Sequence, residues 1–350
     1  MGMAMSLRKF EFGHKDKYLL LGPQEVGKTC FLAGMYYTFR SALNGFSLSC
    51  VDEEQRVALD MLCKDLGKGK FPQGTGGSTN YHFKLRKAHK ERFPFDWYDY
   101  RGSMLAEGSQ SIDEYDEMVN LVNNSTCVLV CVDGTWLSPD KEKSVKTIQD
   151  NSYIINNFLN KYIDDNGILP PICVVITKYD TCDWKYEAQY YEAIKESFPF
   201  FESTDTPVFI CPICIGKVEN ENFVFNPTDQ DIYKPLFFAL WCGYGYRIAG
   251  LKHNFEKRKN YFNPILLELK NEVKKLEDRV IVINRENRIR EKKKDIYKYE
   301  TALAKEESRI HTLEEEQQDL FDKIDSSEGI YFGDKTTTWG EVREKWKYFR

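Results

Sequence analysis

Residues 22–29 of this 350-residue chain are Gly22-Pro23-Gln24-Glu25-Val26-Gly27-Lys28-Thr29, and this stretch decides the predicted fold. It fits G-x-x-x-x-G-K-[ST], a glycine-rich loop whose backbone N–H groups surround a phosphate. The mostly apolar residues 17–21 before it predict a buried strand, and the residues from Cys30 onward predict a helix. Because the motif needs this context, we expect Lys28 to reach the β- and γ-phosphates and the Thr29 hydroxyl to bind Mg²⁺.

A second motif follows an aromatic-rich stretch that predicts a strand ending at Asp99. Asp99-Tyr100-Arg101-Gly102 has the form D-x-x-G. An aspartate at a strand end can hold the hydration shell of Mg²⁺. Gly102 has no side chain, so its N–H can approach a γ-phosphate.

The third motif is Thr177-Lys178-Tyr179-Asp180, directly after the apolar run 172–176, which predicts a buried strand. The Asp180 carboxylate can accept two hydrogen bonds, from N1–H and from the 2-amino group of guanine. The stem of Lys178 can cover the plane of the base. The three motifs together therefore predict guanine-nucleotide binding.

With these motifs in this order, residues 15–250 resemble a TRAFAC-class (Ras-like) P-loop GTPase. The residues that flank the first motif are also similar to the GTPase domains of prokaryotic conflict (antiviral) systems. The resemblance implies GTP or GDP and Mg²⁺ as ligands, with Thr29, Thr75 and Asp99 at the metal. The implied nucleotide-binding residues of the three motifs are Gly22, Gln24, Glu25, Val26, Gly27, Lys28, Thr29, Cys30, Thr177, Lys178 and Asp180.

The resemblance implies two further loops. A switch threonine should lie in the glycine-rich segment 71–79, where Thr75 is the first candidate and Thr79 the second. A last base-contacting turn should follow the predicted strand 207–211. There Cys214 and Ile215 take the places of the expected serine and alanine, and a backbone N–H from this turn can reach the guanine O6.

The predicted catalytic residues are Thr75, Gly102 and Gln24. Ras-like enzymes place a glutamine directly after the D-x-x-G glycine to orient the attacking water, and this chain has Ser103 there. Serine is too short for that role, so we expect turnover that is slow or that depends on a partner or a second copy. Gln24 lies where its side chain can crowd or polarise the water.

Composition excludes several classes of protein. A net charge of −5 and a pI near 5.7 argue against polyanion binding by the chain as a whole. No apolar run reaches the roughly 18 residues of a membrane-spanning helix. Ten cysteines are scattered along the chain, several of them inside apolar runs, as is usual in a reducing compartment. We therefore expect a cytoplasmic protein without a strong nucleic-acid or membrane signal.

Alternating strand and helix patterns predict an α/β fold with a mostly parallel sheet, a P-loop GTPase domain over 1–250. Apolar residues at heptad spacing predict a helical coiled-coil arm over 251–328, either one long helix with a stutter or an antiparallel hairpin. A strand–helix element should occupy 329–350, where Thr338-Trp339-Gly340-Glu341 fits a helix capping box.

Two functions stay open at this stage. One is a Mg²⁺-dependent GTPase switch that signals through the arm. The resemblance to prokaryotic conflict systems implies a role of this switch in bacterial antiviral defence. The alternative is a GTP-binding scaffold that does not hydrolyse and that recruits an effector. Either would self-associate or bind its effector through 255–325, and the basic segment 285–298 is a weak candidate for an anionic partner.

Overall fold

A computed structural model describes residues 16–40, 42–43, 45–72, 78–88, 90–100, 112–166, 169–202, 206–219, 222–225, 231–279, 284–324, 328–333 and 335–346. Its strands are β1 (Asp16–Leu21), β2 (Phe46–Cys50), β3 (Thr79–Lys87), β4 (Lys90–Asp99), β5 (Cys127–Asp133), β6 (Ile172–Thr177), β7 (Pro207–Pro212), β8 (Gly216–Glu219), β9 (Asn222–Phe225), β10 (Ile330–Phe332) and β11 (Lys335–Thr336). Its helices are α1 (Lys28–Arg40), α2 (Glu53–Leu66), α3 (Ile112–Asn123), α4 (Lys141–Asn166), α5 (Glu187–Ser197), α6 (Lys234–Glu277), α7 (Arg285–Phe321) and α8 (Trp339–Trp346).

Within the described residues, the main sheet has nine strands in the order β11-β10-β7-β6-β5-β1-β4-β3-β2. The central strands β4, β1, β5, β6 and β7 run parallel. The outer strands β2, β3, β10 and β11 are antiparallel to their neighbours. The predicted α/β fold with a mostly parallel sheet is therefore confirmed. Because β1, β4 and β6 are parallel, Gly22, Asp99 and Thr177 at their carboxyl ends lie along one edge of the sheet.

The middle strands are apolar because helices cover both faces of the sheet. Every residue of β5 and β6 is buried, as expected for parallel strands between two helical layers. One side of the sheet packs on α4 and α5, where Val130, Val174 and Ile194 belong to one core cluster. The ring of Trp97, in β4, packs against Phe31 of α1 with ring centroids 5.8 Å apart.

Strand β2, which follows α1, was not predicted from the sequence. Helix α1 ends at Arg40, and Ala42 then has a φ of 63°, which interrupts a right-handed helix. Residues of β2 alternate between buried and half-buried, as in a strand with one covered face. It pairs with β3, so that Phe46 lies opposite Lys87.

The arm is an antiparallel helical hairpin, which decides between the two alternatives. Ion pairs join α6 to α7, and the partner on α7 changes from residue 314 near the start of α6 to residues 292 and 293 near its end. The pairs are Lys252–Glu314 at 2.6 Å, Arg258–Glu306, Lys270–Glu300 at 2.6 Å, Lys292–Glu272 and Lys293–Glu277 at 2.8 Å. Leu266, Val273 and Leu276 of the predicted heptad stripe are buried.

Residues 320–346 belong by their contacts to the same compact unit as the sheet, and residues 244–319 form the other. Strand β10 pairs with β7, so that Ile330 lies opposite Phe209. The predicted capping box is confirmed, since the Glu341 N–H donates to Thr338 Oγ1 at 3.2 Å and the Thr338 N–H donates to Glu341 Oε2 at 3.1 Å. Among the described residues, we find no helix with the length and apolar character needed to cross a membrane.

Candidate functional site

The glycine loop joins β1 to α1 in an unusual backbone conformation. Glu25 and Gly27 have positive φ values of 64° and 93°, so the chain turns sharply between the strand and the helix. The Phe31 N–H donates to the Gly27 carbonyl at 2.8 Å, which begins the helical hydrogen-bond pattern. The free N–H groups of the first helical turn therefore face the loop, which is the arrangement that binds anions.

The Lys28 side chain folds back into this loop. Its ammonium donates to the carbonyls of Gly22 at 2.7 Å and Pro23 at 2.8 Å. Burial lowers the pKa of Lys28, and the nearby Asp99 carboxylate acts in the opposite direction. Among the described residues, the hydrogen-bond acceptors of this cation are thus two carbonyl groups, and a phosphate would offer it stronger acceptors.

Asp99 lies beside Thr29 at the carboxyl end of β4. The Thr29 hydroxyl donates to Asp99 Oδ2 across 3.5 Å, and the other oxygen, Oδ1, is buried without a hydrogen-bond partner among the described residues. Burial raises the pKa of Asp99 to about 6, although Lys28 and Thr29 lower it in part. A carboxylate oxygen without a partner next to a hydroxyl is a donor set for a hard cation, so these residues fit Mg²⁺.

The third motif is hydrogen-bonded to the glycine loop. The Thr177 hydroxyl donates to the Val26 carbonyl at 2.6 Å, and the Val132 carbonyl lies 3.2 Å away. Lys178 has a left-handed φ of 51°, and its ammonium donates to the Glu25 carbonyl at 3.0 Å. The predicted phosphate and base motifs therefore form one continuous site.

The base-loop candidates lie together. The Tyr179 N–H donates to the Ile213 carbonyl at 3.2 Å. Burial raises the pKa of Cys214 to about 11, with a smaller contribution from the adjacent Asp180 carboxylate, so the two side chains are neighbours. Ile215 packs on α1, where a Cβ added to Gly34 would lie 2.9 Å from Ile215 Cγ2.

The other candidates are placed as follows. Cys30 lies in the first turn of α1, and burial raises the pKa of its thiol to about 11. Gln24 is exposed in the glycine loop. Thr79 begins β3 opposite Asp99. Three residues with proposed roles in hydrolysis lie outside the described residues: Thr75, Gly102 and Ser103.

Two carboxylates at this site were not singled out from the sequence. Asp133 accepts a hydrogen bond from Lys178 at 2.5 Å, and Glu187 accepts one from Tyr179 at 3.1 Å. Asp133 ends a buried apolar strand in the same way as Asp99, and this signal was available in the sequence. Glu187 begins a helix seven residues after Asp180 in sequence, and nothing in the pattern marks it.

The Double-GTPase 2 family model matches residues 20–209, which is more than half of the chain and includes all three motifs. The chain belongs to the Double-GTPase 2 family. It therefore carries a GTP-binding, GTPase-like domain, and the predicted P-loop GTPase resemblance is confirmed. No curated protein matches the chain.

Solved structures similar to this Double-GTPase 2 member include the S. cerevisiae Ski7 GTPase-like domain bound to GTP. That comparison has 12% identity and a TM-score of 0.30, and it covers 59% of this chain and 45% of the Ski7 chain. The match thus spans less than half of the Ski7 chain. The septin GTPase domain from Chlamydomonas reinhardtii matches with 12% identity, a TM-score of 0.27, and coverage of 63% of this chain and 88% of the septin chain.

Proposed function

We propose that this chain is a Mg²⁺-dependent guanine-nucleotide switch that binds GTP and GDP and hydrolyses GTP slowly on its own. One observation carries the proposal: the Thr177 hydroxyl and the Lys178 ammonium donate to the carbonyls of Val26 and Glu25. These bonds join the base motif to the phosphate loop. A ligand with a purine at one end and a polyphosphate at the other fits such a composite site.

In this proposal the glycine loop and the N-terminus of α1 surround the phosphates, and Lys28 exchanges its carbonyl partners for phosphate oxygens. Asp180 accepts hydrogen bonds from guanine, and a backbone N–H near Cys214 and Ile215 serves the guanine O6. Thr29 and Asp99 would hold Mg²⁺ together with a switch threonine, for which Thr75 comes before Thr79. A Mg²⁺ ion held by these residues would supply positive charge to the phosphates.

Slow hydrolysis follows from the residue after the D-x-x-G glycine. Ser103 is too short to orient the attacking water as a glutamine would. The proposed contributors within the chain are the N–H of Gly102, the Thr75 hydroxyl and the exposed side chain of Gln24. We propose that a partner protein or a second copy completes this set, with the helical arm 255–325 as the surface that recruits it.

A second candidate function is a GTP-binding scaffold that does not hydrolyse the nucleotide. Ser103 in the water-orienting position favours it, and so do Cys214 and Ile215 in place of the expected serine and alanine of the base loop. Both candidates need guanine-nucleotide binding, and they differ in phosphate release.

The test is a titration of the nucleotide-free protein with GTP, GDP and ATP in Mg²⁺, with phosphate release measured in the same samples at low and high protein concentration. The switch predicts tighter binding of GTP than of ATP, and turnover per molecule that rises with protein concentration if copies complete the site. GTP binding without phosphate release at any concentration supports the scaffold instead.

Lys28→Ala is the variant that tests the site itself, because it removes the cation from the loop. We expect GTP affinity to fall by about a hundredfold or more, as for loss of a charge-assisted phosphate contact. The matched control is Lys64→Ala, on the exposed face of α2, which should bind as the parent does. A Lys28→Ala variant with unchanged affinity would contradict both candidate functions.

A further inference from the structure

Three of the four residues in the base motif are anchored by groups outside it. Thr177 is bonded to the glycine loop, and Lys178 and Tyr179 each donate to a carboxylate elsewhere in the chain. Asp180 is exposed, and its carboxylate contacts the Cys214 thiol, a weak hydrogen-bond donor that holds it only loosely. The position of the Asp180 carboxylate therefore depends on how firmly the two preceding residues are held.

The first anchor is Asp133, the buried last residue of β5. Its Oδ2 accepts from the Lys178 ammonium at 2.5 Å, and its Oδ1 accepts from the Thr135 N–H at 2.9 Å and the Thr135 hydroxyl at 2.8 Å. Both oxygens are thus used, which fixes the orientation of the carboxylate. Gly134 allows this close packing, since a Cβ there would lie 2.7 Å from the Lys178 carbonyl oxygen.

Lys178 needs such an anchor because of its backbone. A left-handed φ of 51° is unfavourable for a residue with a long side chain. Its ammonium is held between the Asp133 carboxylate and the Glu25 carbonyl. Those two bonds keep the lysine stem at the site where a base would lie, and they help to hold the turn that carries Asp180.

The second anchor is Glu187, the first residue of α5. Its Oε1 accepts from the Tyr179 hydroxyl at 3.1 Å and from the Tyr191 hydroxyl at 3.0 Å. Burial, and next the Glu187 charge, raise the pKa of both tyrosines far above neutral pH, so both hydroxyls stay protonated donors. Tyr179 is thus fixed at its hydroxyl by Glu187 and at its N–H by the Ile213 carbonyl.

We propose that Asp133 and Glu187 are positioning residues for guanine selectivity. Through Lys178 and Tyr179 they hold the turn in the one arrangement that presents Asp180 to the N1–H and 2-amino group of a guanine base. This inference rests on the proposed function. It predicts that losing either anchor lowers the preference for GTP over ATP, while binding of the phosphates persists.

The experiment uses paired variants that each remove one hydroxyl from the same carboxylate. Tyr179→Phe removes the hydroxyl on the base motif, and Tyr191→Phe removes the one on α5. Glu187→Gln weakens the shared acceptor. At the other anchor, Asp133→Asn is paired with Thr135→Val, which keeps the Thr135 N–H. For the full chain and each variant, we would measure affinities for GTP, ATP and inorganic tripolyphosphate in Mg²⁺, and the melting temperature.

We expect Tyr179→Phe, Glu187→Gln and Asp133→Asn to reduce the ratio of GTP to ATP affinity by about five- to tenfold, as for loss of one ordered hydrogen bond. Tripolyphosphate affinity should stay within about twofold, because it has no base to recognise. Tyr191→Phe and Thr135→Val should keep the parent's ratio. Combining Tyr179→Phe with Glu187→Gln should add little to either change alone, because both act on one contact.

Three results would overturn the inference. The first is a lower melting temperature with an unchanged GTP to ATP ratio, which would make both carboxylates purely structural. The second is an equal loss of selectivity in the Tyr191→Phe control. The third is a parent protein that does not prefer GTP, which defeats the proposed function and this inference with it. If Asp133→Asn fails to fold, the tyrosine pair still decides the outcome.

Discussion

Replacing Asp99 by asparagine should make the nucleotide-free protein more stable. The Asp99 carboxylate is 2% exposed, and burial raises its pKa from 3.8 to about 6. The folded state therefore holds the Asp99 proton more tightly than the unfolded state does, and stability falls as the pH rises from 3.8 to 6. The raised pKa costs about 3 kcal/mol at pH 7.5, where Asp99 is ionised in both states, and about half as much at pH 5, where the folded state is mostly protonated. Asn carries no charge and avoids this cost.

The assay is urea unfolding of parent and Asp99→Asn at pH 7.5 and pH 5, in EDTA and without nucleotide. We expect the variant to gain up to about 3 kcal/mol at pH 7.5 and about half of that at pH 5. With Mg²⁺ and GTP the parent should have the higher free energy of unfolding, because only the parent keeps the Asp99 carboxylate that binds the cation.

A buried carboxylate that has a hydrogen-bonded side-chain partner is the matched control. Asp96, on the same strand, lies 2.7 Å from His82 Nδ1, so Asp96→Asn should lower the free energy of unfolding. An Asp99→Asn variant that is less stable than the parent at pH 7.5 would refute the reasoning, because Asp99 would then be compensated in the folded state.

Three further predictions concern the same compact unit. Lowering the pH from 7.5 to 5.5 should weaken Mg²⁺-dependent GTP binding about fourfold by calorimetry, since Asp99 takes up a proton near pH 6, and Asp99→Asn should lack this dependence. Thr177→Val should cost about 1–2 kcal/mol in urea unfolding and weaken GTP binding. Thr147→Val, at a half-buried hydroxyl with a solvent-exposed hydrogen bond, should do neither. Trp339→Ala should cost about 3–5 kcal/mol, whereas Trp184→Ala, at a side chain 80% exposed, should change stability by less than about 0.5 kcal/mol.

The sheet and its motif-bearing edge were predictable because local signals agreed with one another. The glycine loop follows an apolar strand, Asp99 ends another, and Thr177 ends a third. The loops that follow parallel strands all lie at the same edge of the sheet. The predicted parallel arrangement therefore places these residues at one edge. The hydroxyl contact from Thr177 to Val26 spans 151 positions of sequence, and no local pattern specifies it.

The contacts that make these carboxylates anchors were not predictable for the same reason, although the position of Asp133 at a strand end was visible in the sequence. Asp133 and Glu187 act on residues 45 and 8 positions away, and each contact depends on where the strand or helix carrying the carboxylate lies. The hairpin of the arm was undecided because a polar break between two heptad stripes fits a stutter as well as a turn. Cross-helix ion pairs such as Lys252–Glu314 decide it, and they exist only once the helices are paired.

The sheet is completed by residues that follow the arm in sequence. Strand β10 covers the edge of β7, and the Ile210 N–H donates to the Gly329 carbonyl at 2.8 Å. The Trp339 ring lies 5.1 Å from that of Phe209 and 6.3 Å from that of Trp241. Without these residues, β7 would present unpaired backbone groups and a bare apolar face to water. Residues on both sides of the arm thus belong to one compact unit.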